Sequence, residues 1–341
     1  MKLITFAVPC YNSESYMERC IESLLSAGED AEIIIINDGS SDGTSEIAHR
    51  YEKMYPQIVR AVDKENGGHG SGVNTGLKMA KGKYFKVVDS DDWLDENSLR
   101  KLIKNMRCWE KRGITLDLVI ANYIYDHVYE PEKSHKASFE NIFKHGKLSS
   151  WSDMGMFKPS QYLIMHALYF RTEILREAKV VLPEHTFYVD NIFACQPLHL
   201  VKKICYLDLD LYHYFIGRED QSVNESVHIS RIDQQIYITE HILKNVDMRA
   251  CRSVSRKLEI YQLRFLSIMM TICSVYLLKI GTDEAIEKRR KLWAEVKEYD
   301  PNIYYYLRTL TLSGFTMLPG SVGRKIAIYG YDIAQKLVAF N

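Results

Sequence analysis

Asp89-Ser90-Asp91-Asp92 places three carboxylates within four positions, directly after the apolar run Tyr84-Phe85-Lys86-Val87-Val88. Clustered carboxylate oxygens suit a hard divalent cation such as Mg2+ or Mn2+, held by one or two of them together with substrate phosphates. The competing reading is a solvated turn that caps the next helix. A strand that ends in carboxylates points them off the edge of its sheet. In an open α/β sheet, ligands bind beyond those carboxyl ends.

Three other polar turns hold the same kind of position. Pro9-Cys10-Tyr11-Asn12 follows Leu3–Val8, and Asn37-Asp38-Gly39-Ser40-Ser41-Asp42 follows Glu32–Ile36. Glu65-Asn66-Gly67-Gly68 follows Ile58–Val62. Each alone is an ordinary turn sequence, but at the ends of successive strands all four line one edge of one sheet. Glycines at 67, 68, 70 and 72 allow close backbone approach to a ligand, or simply a loop with positive φ. The run has neither G-x-x-x-x-G-K-[ST] nor G-x-G-x-x-G, so it supports neither a P-loop ATPase nor a dinucleotide dehydrogenase.

The elements that position these turns alternate. Ser13 or Ser15 is suited to cap a helix with Met17, Cys20, Ile21, Leu24 and Leu25 on its apolar face. Thr44 to Met54 reads as a helix, and Val73, Leu77 and Ala80 share a helical face. Leu116–Ile124 is a further strand. Alternating strands and helices imply a mostly parallel sheet covered on both faces. Residues 126–160 are polar, aromatic and weakly periodic, and read as loops or a flexible lid. Shorter mixed elements follow to Phe215, and the pattern is mainly helical from His228.

The 341 residues, 46% hydrophobic and 26% charged, fit a soluble globular chain of one large domain with an extension, or of two domains. Lys+Arg and Asp+Glu both number 44, so bulk charge gives no support for nucleic-acid binding. Seven scattered cysteines without a C-x-x-C pair read as free thiols of a reducing cytosol. Leu3–Val8 is too short for a signal peptide core, which leads to an expectation of cytoplasmic localisation. Phe265–Leu278, the longest apolar stretch, is short for a bilayer span and reads as a buried helix.

The series V-P-C-Y-N, N-D-G-S-S-D-G-T, K-E-N-G-G-x-G-x-x-x-N-x-G and V-V-D-S-D-D resembles a family 2 glycosyltransferase with the GT-A fold. The likeness is close over residues 1–100 and extends to about 224. It implies a Rossmann-like, mixed and mostly parallel α/β domain over 1–224, with a helical C-terminal region over 225–341. Pro9, Tyr11 and Asn12 match the turn around the nucleotide base and ribose, and Asp38 the acid that hydrogen-bonds the base, usually uracil. Lys64, Asn66 and Gly67 match the segment over the nucleotide. Asp89 and Asp91 match the D-x-D pair, with Ser90 between them on the donor side. Asp91 is then the direct contact to Mn2+ or Mg2+, while Asp92 supports the turn and caps the following helix.

The family's catalytic base is an acid in an aromatic setting at a helix start, and Thr186-Phe187-Tyr188-Val189-Asp190-Asn191-Ile192-Phe193 resembles that segment. Many relatives carry Glu-Asp where this chain has Val189-Asp190. Asp190 is then the base, desolvated by Phe187, Tyr188 and Val189; otherwise it only caps a helix over 191–200. Tyr212 to Val223 resembles the closing segment, in which Arg218 would neutralise the leaving diphosphate. His213 is a third metal ligand or a packed histidine. His166 faces the acceptor or sits in the core, and His69 is equally open.

The implied reaction is inverting transfer from a nucleotide-sugar, most simply a UDP-sugar, to a hydroxyl of a glycan or lipid-linked acceptor. The setting is cell-surface polysaccharide or glycolipid synthesis. The aromatic, apolar and basic tail over 301–341 suits peripheral contact with the inner membrane face, acceptor contact, helical packing or a homodimer. Two other readings stay open: a non-catalytic scaffold with the same fold, and a nucleotidyltransferase. The second should show a basic G-x-G-T-R-like loop near the first strand, where this chain has Val8-Pro9-Cys10-Tyr11-Asn12.

Overall fold

The structure is a computed structural model that describes residues 2–159, 161–217 and 225–338. Met1–Met156 with Leu163–Gly217 form one compact unit, and Phe157–Tyr162 with the described residues after Arg218–Asn224 form another.

The first unit is built on a ten-stranded sheet. Its strands are β1 Ile4–Cys10, β2 Ala31–Asp38, β3 Val59–Lys64, β4 Tyr84–Val87, β5 Trp93–Leu94, β6 Leu118–His127, β7 His135–Ala137, β8 Leu148–Ser149, β9 Leu168–Arg171 and β10 Ile204–Ile216. The main path runs β3-β2-β1-β4-β9-β6-β10-β5, with β7 on β6 and β8 on β10. Pairings across β3-β2-β1-β4 and between β6 and β10 are parallel. β9 enters antiparallel between β4 and β6. β1 and β2 are buried along their whole length, as continuous apolar runs in a two-sided parallel sheet should be.

The chain moves outward from β1 to β2 and β3, then returns to the other side of β1 for β4. The crevice between β1 and β4 is therefore the topological switch point, where open α/β sheets bind ligands. Pro9 lies just past the end of the β1–β4 ladder, whose last pair is Ala7 with Val87. Its missing N–H is tolerated there because the strands have begun to separate.

Helices α1 Met17–Leu25, α2 Thr44–Met54, α3 His69–Met79 and α4 Glu96–Lys111 follow the first strands. The predicted apolar face of α1 is buried through Met17, Cys20, Ile21 and Leu24. Its predicted serine cap is not formed: Tyr16 is the N-cap, and the Ser13 hydroxyl lies 2.9 Å from that of Ser90. The helix after the aspartate turn is capped by Asp95, which accepts from the Ser98 N–H at 2.8 Å, and not by Asp92.

Residues 126–159 are largely irregular, as expected, but are packed down and do not form an open lid. Phe139, Ile142, Phe143 and Trp151 are buried there, and the Trp151 indole donates to the Leu198 carbonyl at 3.1 Å. Spaced single aromatics anchor an irregular segment without producing a period. Two short helices, α5 Thr172–Glu177 and α6 Asp190–Cys195, lie before the long β10.

The second unit is helical: α7 Glu225–Ser230, α8 Ile232–Asn245, α9 Met248–Val254, α10 Arg256–Ile280, α11 Asp283–Tyr299, α12 Pro301–Leu310 and α13 Gly320–Val338. The apolar stretch expected over 265–278 belongs to the 25-residue α10. By length and composition alone α10 could cross a membrane, but two thirds of its most apolar window is buried within the protein. Ser255 caps its start and Gly281, at φ +70°, ends it. Leu258, Leu266, Met270, Cys273 and Leu277 are fully buried along it, so it is the core helix of this unit.

Candidate active site

The glycine segment is organised by Asp38 at the end of β2. Asp38 is only 2% exposed, and both its oxygens accept from the chain itself. Oδ1 takes the Gly67 N–H at 3.0 Å and the Lys64 ammonium at 2.5 Å, and Oδ2 takes the Gly68 N–H at 2.7 Å. The Asn66 amide donates to the Asp38 carbonyl at 2.8 Å. Asp38, Lys64, Asn66 and Gly67 are thus brought together as one hydrogen-bonded knot.

The first turn is tied to the second in the same way. Asn12, at φ +49°, accepts the Ser41 N–H on its side chain at 2.9 Å, while its own N–H donates to Ser40. Tyr11 stands 54% exposed beside Asn12, an aromatic face open for stacking.

Helix α3 starts at His69, so glycines 70 and 72 lie inside a helix and not in a loop. A Cβ at Gly70 would come within 2.5 Å of the Pro183 carbonyl, and one at Gly76 within 2.5 Å of the Ala7 side chain. These two glycines serve close packing of α3 on β1 and on the segment before Asp190. Asn74 completes the seam: its amide donates to the Leu182 carbonyl at 2.8 Å and accepts the Leu182 N–H at 2.9 Å. The His185 N–H donates to the Gly67 carbonyl at 2.7 Å. Asp190 is therefore carried to the glycine turn by contacts that begin eight residues earlier.

The aspartate turn is fixed from β10. The Tyr212 hydroxyl donates to Asp92 Oδ2 at 2.5 Å and accepts the Asp89 N–H at 3.2 Å; Asp92 Oδ1 takes the Phe215 N–H at 2.8 Å. Burial, then the neighbouring Asp91 and Asp89, push the Asp92 carboxyl well above the usual range. Asp89 is half-buried, with Oδ1 2.8 Å from His69 Nε2. Burial opposes its charge, but His69 beside it holds its carboxyl below the ordinary value. Burial likewise opposes the His69 charge, and Asp89, Asp190 and Asp91 outweigh it and raise the imidazole. Neither the role of Tyr212 nor the His69–Asp89 pair was evident in the sequence, since each partner lies far along the chain.

Asp190 is the first residue of α6 and is half-buried. Burial raises its carboxyl to about 6; Asp89 pushes the same way and His69 pulls against it. Val189 is buried as expected, whereas Phe187 is exposed. Tyr188 adopts φ +65° immediately before, a conformation unusual for a tyrosine and of the kind stored at functional sites.

Among the described residues, Asp89, Asp92 and His166 each offer one ligand atom within 4.8 Å of the others. His166 Nδ1 is buried without a hydrogen-bond partner, and burial lowers its imidazole to about 3, so it is neutral and free to ligate. The donor set fits a divalent cation. Asp92 is its weakest member, because both its oxygens are already engaged. Asp91, half-buried in the same turn, stands outside this triplet. His213 lies elsewhere: its Nδ1 is 2.9 Å from Asp126 and its ring stacks on Trp93. His166 is only 8% exposed, stacked on Tyr212, and so belongs to the aspartate turn more than to an open acceptor face. Ser90 is buried against Ser13. Arg218 lies outside the described residues.

A profile described as glycosyl transferase family 2 matches residues 5–158. A relative named EpsH in Bacillus subtilis (strain 168) is 30% identical over 232 residues, 62% of this chain and 60% of that protein. The poly(ribitol-phosphate) beta-glucosyltransferase of Bacillus spizizenii is 28% identical over 65% of this chain and 33% of that protein. The chain thus spans less than two thirds of the length of the curated relatives it matches. Among solved structures, S. aureus TarS 1-349 in complex with UDP-GlcNAc superposes with a TM-score of 0.66 at 16% identity, covering 98% of this chain and 92% of that one. The four turns at one sheet edge and the profile match show a glycosyl transferase family 2 domain over residues 5–158, and the shared architecture gives the chain the GT-A fold with a helical C-terminal part.

Proposed function

We propose that the chain transfers a sugar, with inversion, from a nucleoside diphosphate sugar to a hydroxyl of a glycan or lipid-linked acceptor in polysaccharide synthesis. UDP is the nucleotide we favour. The observation that carries the reading is the meeting of a nucleotide-type switch-point crevice, an aspartate turn and a carboxyl raised to about 6 within one hydrogen-bonded framework. The names of the poly(ribitol-phosphate) glucosyltransferase and of the TarS complex with UDP-GlcNAc support the class of donor and acceptor.

In this reading Tyr11 stacks on the base, and the knot around Asp38 holds the glycine turn against the nucleotide. Asp89, Asp92 and His166 are the donor set that would hold Mg2+ or Mn2+, and Asp91, the D-x-D match in the same turn, would join them. Such an ion supplies Lewis-acid stabilisation of the charge on the leaving diphosphate. Asp190 takes the proton of the acceptor hydroxyl. A base raised to about 6 is still ionised at pH 7, yet basic enough to remove it.

The test is thermal-shift and hydrolysis screening of UDP-, dTDP- and GDP-sugars with Mg2+, Mn2+ or EDTA, beside Asp91→Ala. The expected outcome is stabilisation by a UDP-sugar that is lost with EDTA and in the variant. No metal-dependent response from folded protein to any nucleotide-sugar would favour a non-catalytic scaffold.

A further inference from the structure

The helical unit leaves one face apolar. On α13, Val322, Ile326, Tyr329 and Ile333 recur at intervals of four, three and four, the spacing of one helical stripe. All four are exposed, Val322 and Tyr329 to 69%. The helix is not loose on its other side. Ala327 is buried, the Tyr331 ring meets Tyr276 of α10 edge-on, and Asp332 pairs with Lys279 at 2.9 Å. The segment that leads into α13 continues the pattern, with Leu310, Leu312, Phe315 and Leu318 exposed. Scattered single apolar residues on a surface need no explanation, whereas a run of this kind marks an interaction site.

Charge identifies what fits it. Over 301–341 the chain carries Arg308, Arg324, Lys325 and Lys336 against Asp332 alone. That one acid pairs with Lys279, which also pairs with Glu225, and Arg324 turns inward to donate to the Leu278 carbonyl at 2.6 Å. Lys325, exposed, borders the apolar stripe, and Arg308 is exposed before Leu310. Helix α11 of the same unit shows the contrast. Its surface is laced with acid–base pairs, Arg290 with Glu287 and Lys288 with Asp233 and Glu284. An apolar stripe bordered by the exposed cation Lys325, with Arg308 exposed ahead of it and with exposed Tyr305 and Tyr329 whose rings are apolar and whose tips are polar, has the composition of an interfacial element on an anionic bilayer. Two like-charged copies of the face would repel each other.

We propose that the face made by residues 310–333 docks the protein on a lipid surface bearing anionic headgroups, with the apolar side chains of α13 and of the preceding segment inserted between them. This inference does not depend on the sugar chemistry of the first unit.

The experiment is flotation of the full chain with vesicles of phosphatidylcholine alone, or of phosphatidylcholine with phosphatidylglycerol, at low and high salt. The parent protein is expected to float with the anionic vesicles and to be released by salt. Val322→Ser with Ile326→Ser should weaken binding about tenfold or more, since insertion scales with buried apolar area. Lys325→Glu should weaken it at least about fivefold and reduce the salt dependence. Leu312→Ser with Phe315→Ser repeats the test on a separate element, should one pair disturb folding. Light scattering on the same samples reads oligomeric state. Parent protein that binds neither vesicle, or variants that bind as the parent does, would overturn the proposal. So would an oligomer that the substitutions dissociate without vesicle binding, which would assign the face to a second copy of the chain.

Discussion

In the proposed reaction Asp190 is valuable because its ionised form is uncomfortable. Burial raises it to about 6, and an unfolded aspartate titrates near about 3.9, so the folded protein holds the proton more tightly than the unfolded chain. As the proposed base it works only when ionised. Turnover should therefore fall as the pH drops through about 6 and level off above it, as initial rates at saturating donor would show. The same shift means that ionised Asp190 costs folding free energy at pH 7, a cost that fades below pH 6. Asp190→Asn is accordingly expected to melt at a higher temperature than the parent at pH 7, with the gap narrowing at pH 5. Residue types announced this site in part. The aspartate turn and Asp190 could be found from motif order. The engagement of Asp92 by Tyr212, 120 positions away, could not, because nothing local in either segment encodes the other.

At the scale of elements, α3 joins the glycine turn to the segment that leads into Asp190. Asn74 grips both backbone groups of Leu182, and the glycines before and after it allow α3 to approach β1 and the 182–185 segment. Asn74→Ala would leave the Leu182 N–H and carbonyl without these partners, at about 1–3 kcal/mol. The expected result is a protein that binds donor almost normally but turns over more slowly, measured as kcat against donor Kd. The early strands were legible because each is a compact apolar run ended by turn residues, and α2 matches its expected bounds of Thr44 and Met54. The start of α3 was hidden by glycines, which usually argue against a helix interior. Here the space they leave is filled by other parts of the chain. β10 was obscured because its outer half alternates aromatic and polar residues that serve the aspartate turn as much as the sheet.

For the molecule as a whole, the sequence separated an α/β half from a helical half, and a different kind of burial underlies each. In the helical unit stability rests on α10, whose stretch over 265–278 is apolar on every side and largely buried by its neighbours. Leu266→Ala on that helix should cost about 2–5 kcal/mol, read from the urea midpoint. Leu312→Ala, on the exposed face, should change it by no more than about 0.5 kcal/mol. Composition alone could not separate these two leucines, since both lie in apolar stretches and only packing distinguishes core from docking face. The central claim, that one framework binds a nucleotide-sugar and presents Asp190 as the base, is tested most directly by donor titration and turnover of Asp190→Asn in the presence of Mg2+ or Mn2+. The account predicts an unchanged donor Kd and a kcat lowered by about 10²–10⁴-fold. Turnover retained by this variant, or lost together with donor binding, would contradict it.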